Sequence, residues 1–85
     1  MVTVEYCVTC DYSAEALQVA EELVRNYQHV LDRLVLVISS KGVFEVKVDG
    51  ELIFSKKALH RQPEPGEMLQ LFKELVGPQV ATYPR

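Results

Sequence analysis

The chain has two cysteines, and they stand three positions apart as Cys7-Val8-Thr9-Cys10. At that spacing two sulfurs can meet across one tight turn and form a disulfide. A β-favouring stretch, Val2 to Tyr6, leads straight into the motif, its valines and Tyr6 alternating with Thr3 and Glu5. Asp11-Tyr12-Ser13, rich in turn and N-cap residues, leads out of it towards a helix. A helix N-terminus offers unsatisfied N–H groups and the positive end of the dipole. Both favour a thiolate over a thiol, and the thiolate is the nucleophile and the soft-metal ligand. Asp11, adjacent to Cys10, opposes a second negative charge there. No lysine or arginine lies close in sequence, so only modest activation of the thiol is expected.

Several chemistries use such a pair. In a thiol–disulfide oxidoreductase one thiolate attacks a disulfide and the other resolves the mixed disulfide. In a copper-chaperone-like carrier the two thiolates hold a soft metal. Those carriers run β-α-β-β-α-β and need a strand after the second helix, where this chain has Pro78 and Pro84, and the usual methionine loop before the motif is missing. In a non-enzymatic redox-sensitive interaction module, oxidation of Cys7 and Cys10 would alter a binding face. A zinc site needs four ligands, and the remaining soft candidates, His29 and His60, lie in unrelated segments without ligand spacing. Each reads as an ordinary surface or core histidine. As small buried hydrophobes the cysteines would belong to a periodic apolar stripe, and neither does. No resident metal or cofactor is expected.

The elements that must position the pair follow from periodicity. From Ser13 to about Gln28, Tyr12, Ala16, Ala20, Leu23 and Tyr27 recur at helical steps, with Leu17 and Val24 widening the stripe. Leu34 to Ile38 is apolar throughout, which reads as a buried central strand. Ser39 to Gly42 is a loop, and Val43 to Val48 alternates like a strand. Asp49-Gly50 is a hairpin signal, because a type I′ turn needs positive φ at both central residues. Glu51 to Ser55 is then the return strand. A strict two-residue turn pairs Val46 with Ile53 and places Leu52 and Phe54 beside Glu45 and Lys47, leaving the covered face of the hairpin open.

Ala58 to Pro65 reads as a polar loop. A second helix opens at Gly66 or Glu67 with Met68, Leu69, Leu71, Phe72, Leu75 and Val76 as its apolar stripe, and Gly77-Pro78 stops it. Gln79 to Arg85 is expected to be a loose tail. The order β-α-β-β-β-α gives an α/β (α+β) fold. Its first two strands are parallel, and its last two form an antiparallel hairpin in a four-stranded mixed sheet with two helices.

The bulk properties narrow the function classes. The 85 residues suit one domain, 48% hydrophobic and 25% charged, which is ordinary for a soluble globular chain. With 9 basic against 12 acidic residues the net charge is −3, and no basic stripe suited to nucleic acid is present. Lys56, Lys57 and Arg61 form the largest basic cluster, and they read as a solvated strand edge. The sequence opens into Val2-Thr3-Val4 with no secretory pattern, and the longest apolar run is too short to cross a membrane. A cytoplasmic location is therefore expected, where two close cysteines are catalytic or metal-binding more often than structural. The four glycines are scattered at turns and caps, so no phosphate-cradling loop exists, and Glu21-Glu22 lies on the polar face of a helix.

Two blocks carry a family resemblance. Glu5-Tyr6-Cys7-Val8-Thr9-Cys10 followed by a helix resembles the start of the selenoprotein W/T/H-type family, often called Rdx. The block from Gly42 through Val48-Asp49-Gly50-Glu51 to Lys57 is similar to that family's hairpin almost residue by residue. The resemblance extends to about Gly77 and implies a thioredoxin-like βαβββα fold and a thiol-redox role linked to glutathione. Glutathione or protein disulfides would be the partners, with no nucleic acid or membrane. In selenocysteine members the motif reads Cys-x-x-selenocysteine. Cys10 stands at the selenocysteine position and Cys7 at the cysteine position, which implies Cys10 as nucleophile. In ordinary thioredoxins the first cysteine attacks, which would make it Cys7. Thioredoxins also carry a cis-proline before the hairpin, and Ser39 to Val43 has no proline. Tyr6 and Tyr12 flank the motif and are candidates for a substrate or glutathione groove, while Tyr12 also reads as the first residue of the core stripe.

Overall fold

A computed structural model describes residues 1–85. The elements run β1 (Val2–Cys7), α1 (Ser13–Tyr27), β2 (Leu34–Ser39), β3 (Phe44–Val48), β4 (Glu51–Ser55), α2 (Lys56–Leu59) and α3 (Glu67–Val76). The strands form one mixed sheet in the order β2-β1-β3-β4. β1 and β2 pair in parallel with Val4 opposite Leu36, as strands joined through a helix can. β1 and β3 pair antiparallel with Val4 opposite Val46, and β3 and β4 form the expected hairpin. The βαβββα order and the mixed four-stranded sheet are therefore as expected, with α2 added as one turn of helix. No helix is long and apolar enough to cross a membrane.

The added turn has a local cause. Ser55 leaves β4 with an extended backbone, and its hydroxyl accepts from the Ala58 N–H at 3.3 Å, capping the first turn. His60 ends it in the left-handed region at φ 60°. Four residues carry no readable period, so the sequence showed only a strand end and a loop there.

One layer of core covers one face of the sheet. Val2 and Val4 of β1, Phe44 and Val46 of β3 and Phe54 of β4 meet Ala16, Val19, Leu23 and Tyr27 of α1 and Met68 and Phe72 of α3. The α1 stripe is rotated from the expected one. Val19 is buried, Ala20 only half-buried, Val24 is exposed and Leu17 is 59% exposed. In α3, Met68 and Phe72 carry the burial and Leu75 is exposed.

The hairpin resolves the question of its covered face. Asp49 at φ 50° and Gly50 at φ 86° both take the left-handed region that a type I′ turn demands. The turn pairs Val48 with Glu51 and Lys47 with Leu52, after which Ile53 bulges out and Val46 pairs with Phe54. That extra residue reverses the strict alternation. Phe54 moves to the core face, edge-on to Phe44 at 6.2 Å between ring centroids.

β2 corrects an expectation. It lies at the sheet edge, not its centre, with Val35, Leu36 and Val37 partly exposed and Ile38 64% exposed. A continuous apolar run has no alternation from which to read faces, and length alone does not separate a central strand from an edge strand. β1 takes the inner position because it pairs on both sides.

The C-terminal residues form no helix or strand and lie along the end of α1. There the Tyr83 N–H donates to the Asn26 carbonyl at 2.6 Å, and His29 Nε2 donates to the Ala81 carbonyl at 2.9 Å.

Arg61 and Glu67 join α2 to α3 through two hydrogen bonds of 2.7 and 2.8 Å. The Arg61 guanidinium, helped by the Glu64 N–H, holds the Glu67 carboxyl down from 4.5 to about 2 against the opposing effect of burial. A depressed carboxylate stabilises the fold fully above its unfolded pKa, and that contribution fades as pH falls through the folded one. Glu67→Gln should thus lower the melting temperature near neutrality, with the difference from the parent shrinking between pH 4.5 and 2. Thermal melts of both proteins across that range check it, and a pH-independent difference would contradict the ion pair.

Candidate functional site

Cys7 is the last residue of β1, where it is tied to both neighbours. Its N–H donates to the Val43 carbonyl at 2.8 Å, and the next N–H, of Val8, donates to the Ser39 carbonyl at 3.0 Å. The chain then turns tightly. The Asp11 N–H donates to the Val8 carbonyl and the Tyr12 N–H to the Cys7 carbonyl, at 2.9 and 3.1 Å. Asp11 takes φ 54°, which aspartate tolerates better than most residues. Its carboxylate accepts from the Ser13 hydroxyl at 2.7 Å. Helix α1 starts immediately afterwards.

This turn brings the two sulfurs to 2.7 Å. The environments of the two differ sharply. Cys7 is 0% exposed, while Cys10 is exposed. Cys7 is buried but stands apart from the clustered side chains of the hydrophobic core. Donors surround its sulfur instead: the Thr9 hydroxyl at 3.2 Å and the Cys10 N–H at 3.3 Å, with the Gly42 backbone also contributing. Burial pushes the Cys7 thiol up. The Cys10 thiol, the Thr9 hydroxyl and the backbone of Gly42 and Cys10 outweigh it and bring Cys7 from 9.0 down to about 7. Once Cys7 is deprotonated, the Cys10 S–H is the donor between the two sulfurs.

Gly42 is the residue that sequence reasoning missed. Lys41 and Gly42 lie in the turn between β2 and β3, both at positive φ (61° and 75°), with the Val43 N–H donating to the Ser40 carbonyl. Glycine reaches that conformation freely, and the turn places the Gly42 backbone at the Cys7 sulfur. The Lys-Gly pair in a predicted loop was the signal available, and it marked a turn without marking its target.

Tyr6 and Tyr12 are both half-buried and packed against the core. Tyr6 pairs with Phe44 in β3 and Ile38 in β2. Tyr12 stands at the N-cap of α1, and Lys56 Nζ lies 5.7 Å from its ring centroid. His29 lies beside Tyr27 and His60 ends α2, so neither histidine joins the cysteines. No group of three or more His, Cys, Asp or Glu side chains is gathered anywhere in the chain. An apolar cavity of about 310 Å³, lined in part by Val2, Leu31, Phe72 and Val76, lies at the other end of β1 and holds no nucleophile.

Removing one donor tests the cause of the lowered Cys7 thiol. Thr9→Val keeps the side-chain shape and deletes the hydroxyl, so the thiolate loses a partner and its pKa moves up from about 7 towards 9.0. Titrating thiolate absorbance against pH should show the rise. An unchanged midpoint would take Thr9 out of the site.

The model of the Rdx family matches residues 1–74. Two curated relatives named migration and invasion enhancer 1, from Bos taurus and Mus musculus, are each 31% identical over 55 residues, 65% of this chain. The match spans 46% of their length, about half of each relative. A crystal structure from Bordetella parapertussis superposes with a TM-score of 0.81 at 23% identity, covering 87% of this chain and 94% of that one. The selenoprotein W-related protein from Vibrio cholerae gives 0.82 at 21% identity, covering 89% and 95%. At these identities the structural likeness establishes the fold.

Proposed function

The chain belongs to the Rdx family, a generally redox-related group, and on that premise we propose that it is a thiol–disulfide redox protein in which Cys10 attacks and Cys7 resolves. Its partners are glutathione or protein disulfides, with glutathione acting as co-substrate and no resident cofactor. A cytoplasmic setting, where thiols are kept reduced, suits this free pair. The single observation that supports the assignment is the asymmetry of the pair: an exposed sulfur 2.7 Å from a buried one whose pKa is about 7.

The Cys7 thiolate takes the proton of Cys10 as the Cys10 sulfur attacks a disulfide R–S–S–R. The S–S bond breaks, R–S⁻ leaves with the electron pair, and Cys10–S–S–R remains. The departing thiolate takes the proton from Cys7. The Cys7 sulfur then attacks Cys10, expelling the second R–S⁻, which is protonated from water. The substrate gains two electrons, and the Cys7–Cys10 dithiol loses two to become the disulfide. Two glutathione thiols reverse the sequence.

Equilibration against defined glutathione ratios, read by alkylation and mass spectrometry, tests this. An intramolecular disulfide, or an adduct on Cys10, forming reversibly within the cytosolic range is the expected result. Two thiols that stay reduced under oxidising ratios, or that are protected by a metal a chelator removes, would replace it with a structural or soft-metal role. Disulfide formation without turnover of any disulfide substrate would leave a redox-sensitive interaction module.

A further inference from the structure

A groove of about 450 Å³ opens between the turn that precedes β3 and the start of α2, and it includes the Gly42 backbone that reaches the Cys7 sulfur. Gly42 and Val43 line it. These are the residues whose backbone reaches the Cys7 sulfur and accepts the Cys7 N–H. Lys41, Lys56 and Lys57 line it as well, against a single carboxylate, Glu45. That carboxylate already accepts from the Ser55 hydroxyl at 3.2 Å. None of the three ammonium groups is in a salt bridge, since the chain's ion pairs are those of the N-terminal amine with Asp32 and Asp49 and of Arg61 with Glu67. In a chain of net charge −3, three cations without a carboxylate ion pair are concentrated around one concavity.

The placement of these lysines is built by the fold. Lys41 is held in the left-handed region at φ 61°, an uncommon conformation for a residue of this kind, by the turn that also delivers Gly42 to Cys7. Lys56 begins α2 directly after the Ser55 cap, and its ammonium lies over the ring of Tyr12, two residues after Cys10. Lys56 and Lys57, expected at a solvated strand edge, converge instead with Lys41 around the groove that includes Gly42.

We propose that the groove lined by Lys41, Lys56 and Lys57 binds the carboxylates of the thiol or disulfide partner, and so selects anionic partners for Cys10. This rests on the redox reading of the cysteines and specifies its substrate class. Carboxylates flanking a partner sulfur, whether in glutathione or in an acidic protein segment, would meet the lysines while the sulfur faces Cys10. Charges so placed act chiefly on encounter and selection, and they are screened by salt.

The test uses the intact chain and separates binding from chemistry. S-methylglutathione, which carries both carboxylates and cannot form a disulfide, is titrated by calorimetry into the parent and into K41Q/K56Q/K57Q. In parallel, exchange rates are measured with glutathione disulfide, neutral hydroxyethyl disulfide and cationic cystamine. The parent should bind S-methylglutathione and prefer glutathione disulfide, both effects fading as salt is raised. The triple variant should lose about tenfold in both while keeping its rate with hydroxyethyl disulfide. K73Q, which changes a lysine outside the groove, should behave as the parent.

An acidic peptide with an S-methylcysteine distinguishes the two sources. Tighter binding than S-methylglutathione, lost in the same variant, assigns the groove to a protein segment, and the reverse order assigns it to glutathione. Binding and charge preference that survive K41Q/K56Q/K57Q, or a parent with no preference and no salt dependence, would overturn the proposal. Failure of the parent to exchange with any of the three disulfides would sink the redox reading instead, and the S-methylglutathione titration would still decide the groove.

Discussion

Cys10→Ser is expected to reduce the reaction with glutathione disulfide by on the order of a hundredfold, while Cys7→Ser is expected to accumulate a glutathione adduct on Cys10. The difference follows from exposure. Cys10 meets solvent directly, and Cys7 is fully buried at the end of β1. With Cys10 gone, Cys7 can react only when that strand end opens. A local opening that costs about 2–3 kcal/mol leaves roughly one molecule in a hundred competent. With Cys7 gone, the first attack still proceeds, though without the neighbouring thiolate that lies 2.7 Å away to take the proton. Resolution then depends on a second glutathione from solution rather than on a held sulfur of high effective concentration. Timed alkylation and mass spectrometry of both variants read the two outcomes directly. An adduct that builds up on Cys7 in Cys10→Ser at the parental rate would reverse the assigned order and make Cys7 the attacking sulfur.

The second large effect concerns what holds the site together. Phe44→Ala should cost about 3–5 kcal/mol, the range for removing a fully buried phenylalanine and leaving a cavity. At roughly 0.05–0.15 kcal/mol per residue, that is a large share of the stability expected for a chain of 85 residues. Phe44 is fully buried, packs edge-on to Phe54, and starts β3 two residues after Gly42. Loosening it therefore reaches the backbone that supports the Cys7 thiolate. Denaturant midpoints at unchanged slope measure the cost, and thiolate titration on the remaining folded protein should show Cys7 moving up from about 7. Leu17→Ala is the contrast, because the sequence stripe includes Leu17 while the fold leaves it 59% exposed. Its effect should stay within about 0.5 kcal/mol. A loss comparable to that of Phe44→Ala would mean that Leu17 is covered in solution.

Much of this molecule was legible from short stretches of chain. The Cys7-x-x-Cys10 pair between a strand and a helix, the Asp49-Gly50 turn and the helix bounded by Gly66 and Gly77 were all readable before any tertiary structure. So was the parallel pairing of β1 with β2. Each is decided by interactions within a few residues, such as a required sign of φ, a cap, a hydrophobic period, or a helix too long to permit a hairpin between two strands. The family block from Gly42 to Lys57 was equally visible, and the family match over residues 1–74 agrees with it.

The remainder depended on which segments meet. A five-residue apolar run could not show that β2 is an edge strand. Nothing local to Glu51–Ser55 showed that Ile53 would bulge and carry Phe54 into the core, because the preference arises from burying Phe54 against Phe44 across the hairpin. The α1 stripe turned towards Val19 because the sheet and α3 present their apolar surface there.

The same division runs through the site. Sequence by itself determined that two sulfurs would lie within reach on a turn between a strand and a helix. Only the tertiary structure decided that Cys7 is buried and Cys10 exposed, and that Gly42 supports the Cys7 thiolate. It alone brought Lys41 together with Lys56 and Lys57 around the groove that includes Gly42. Burial and electrostatic environment are sums over neighbours distant in the chain, and no spacing within one segment encodes them.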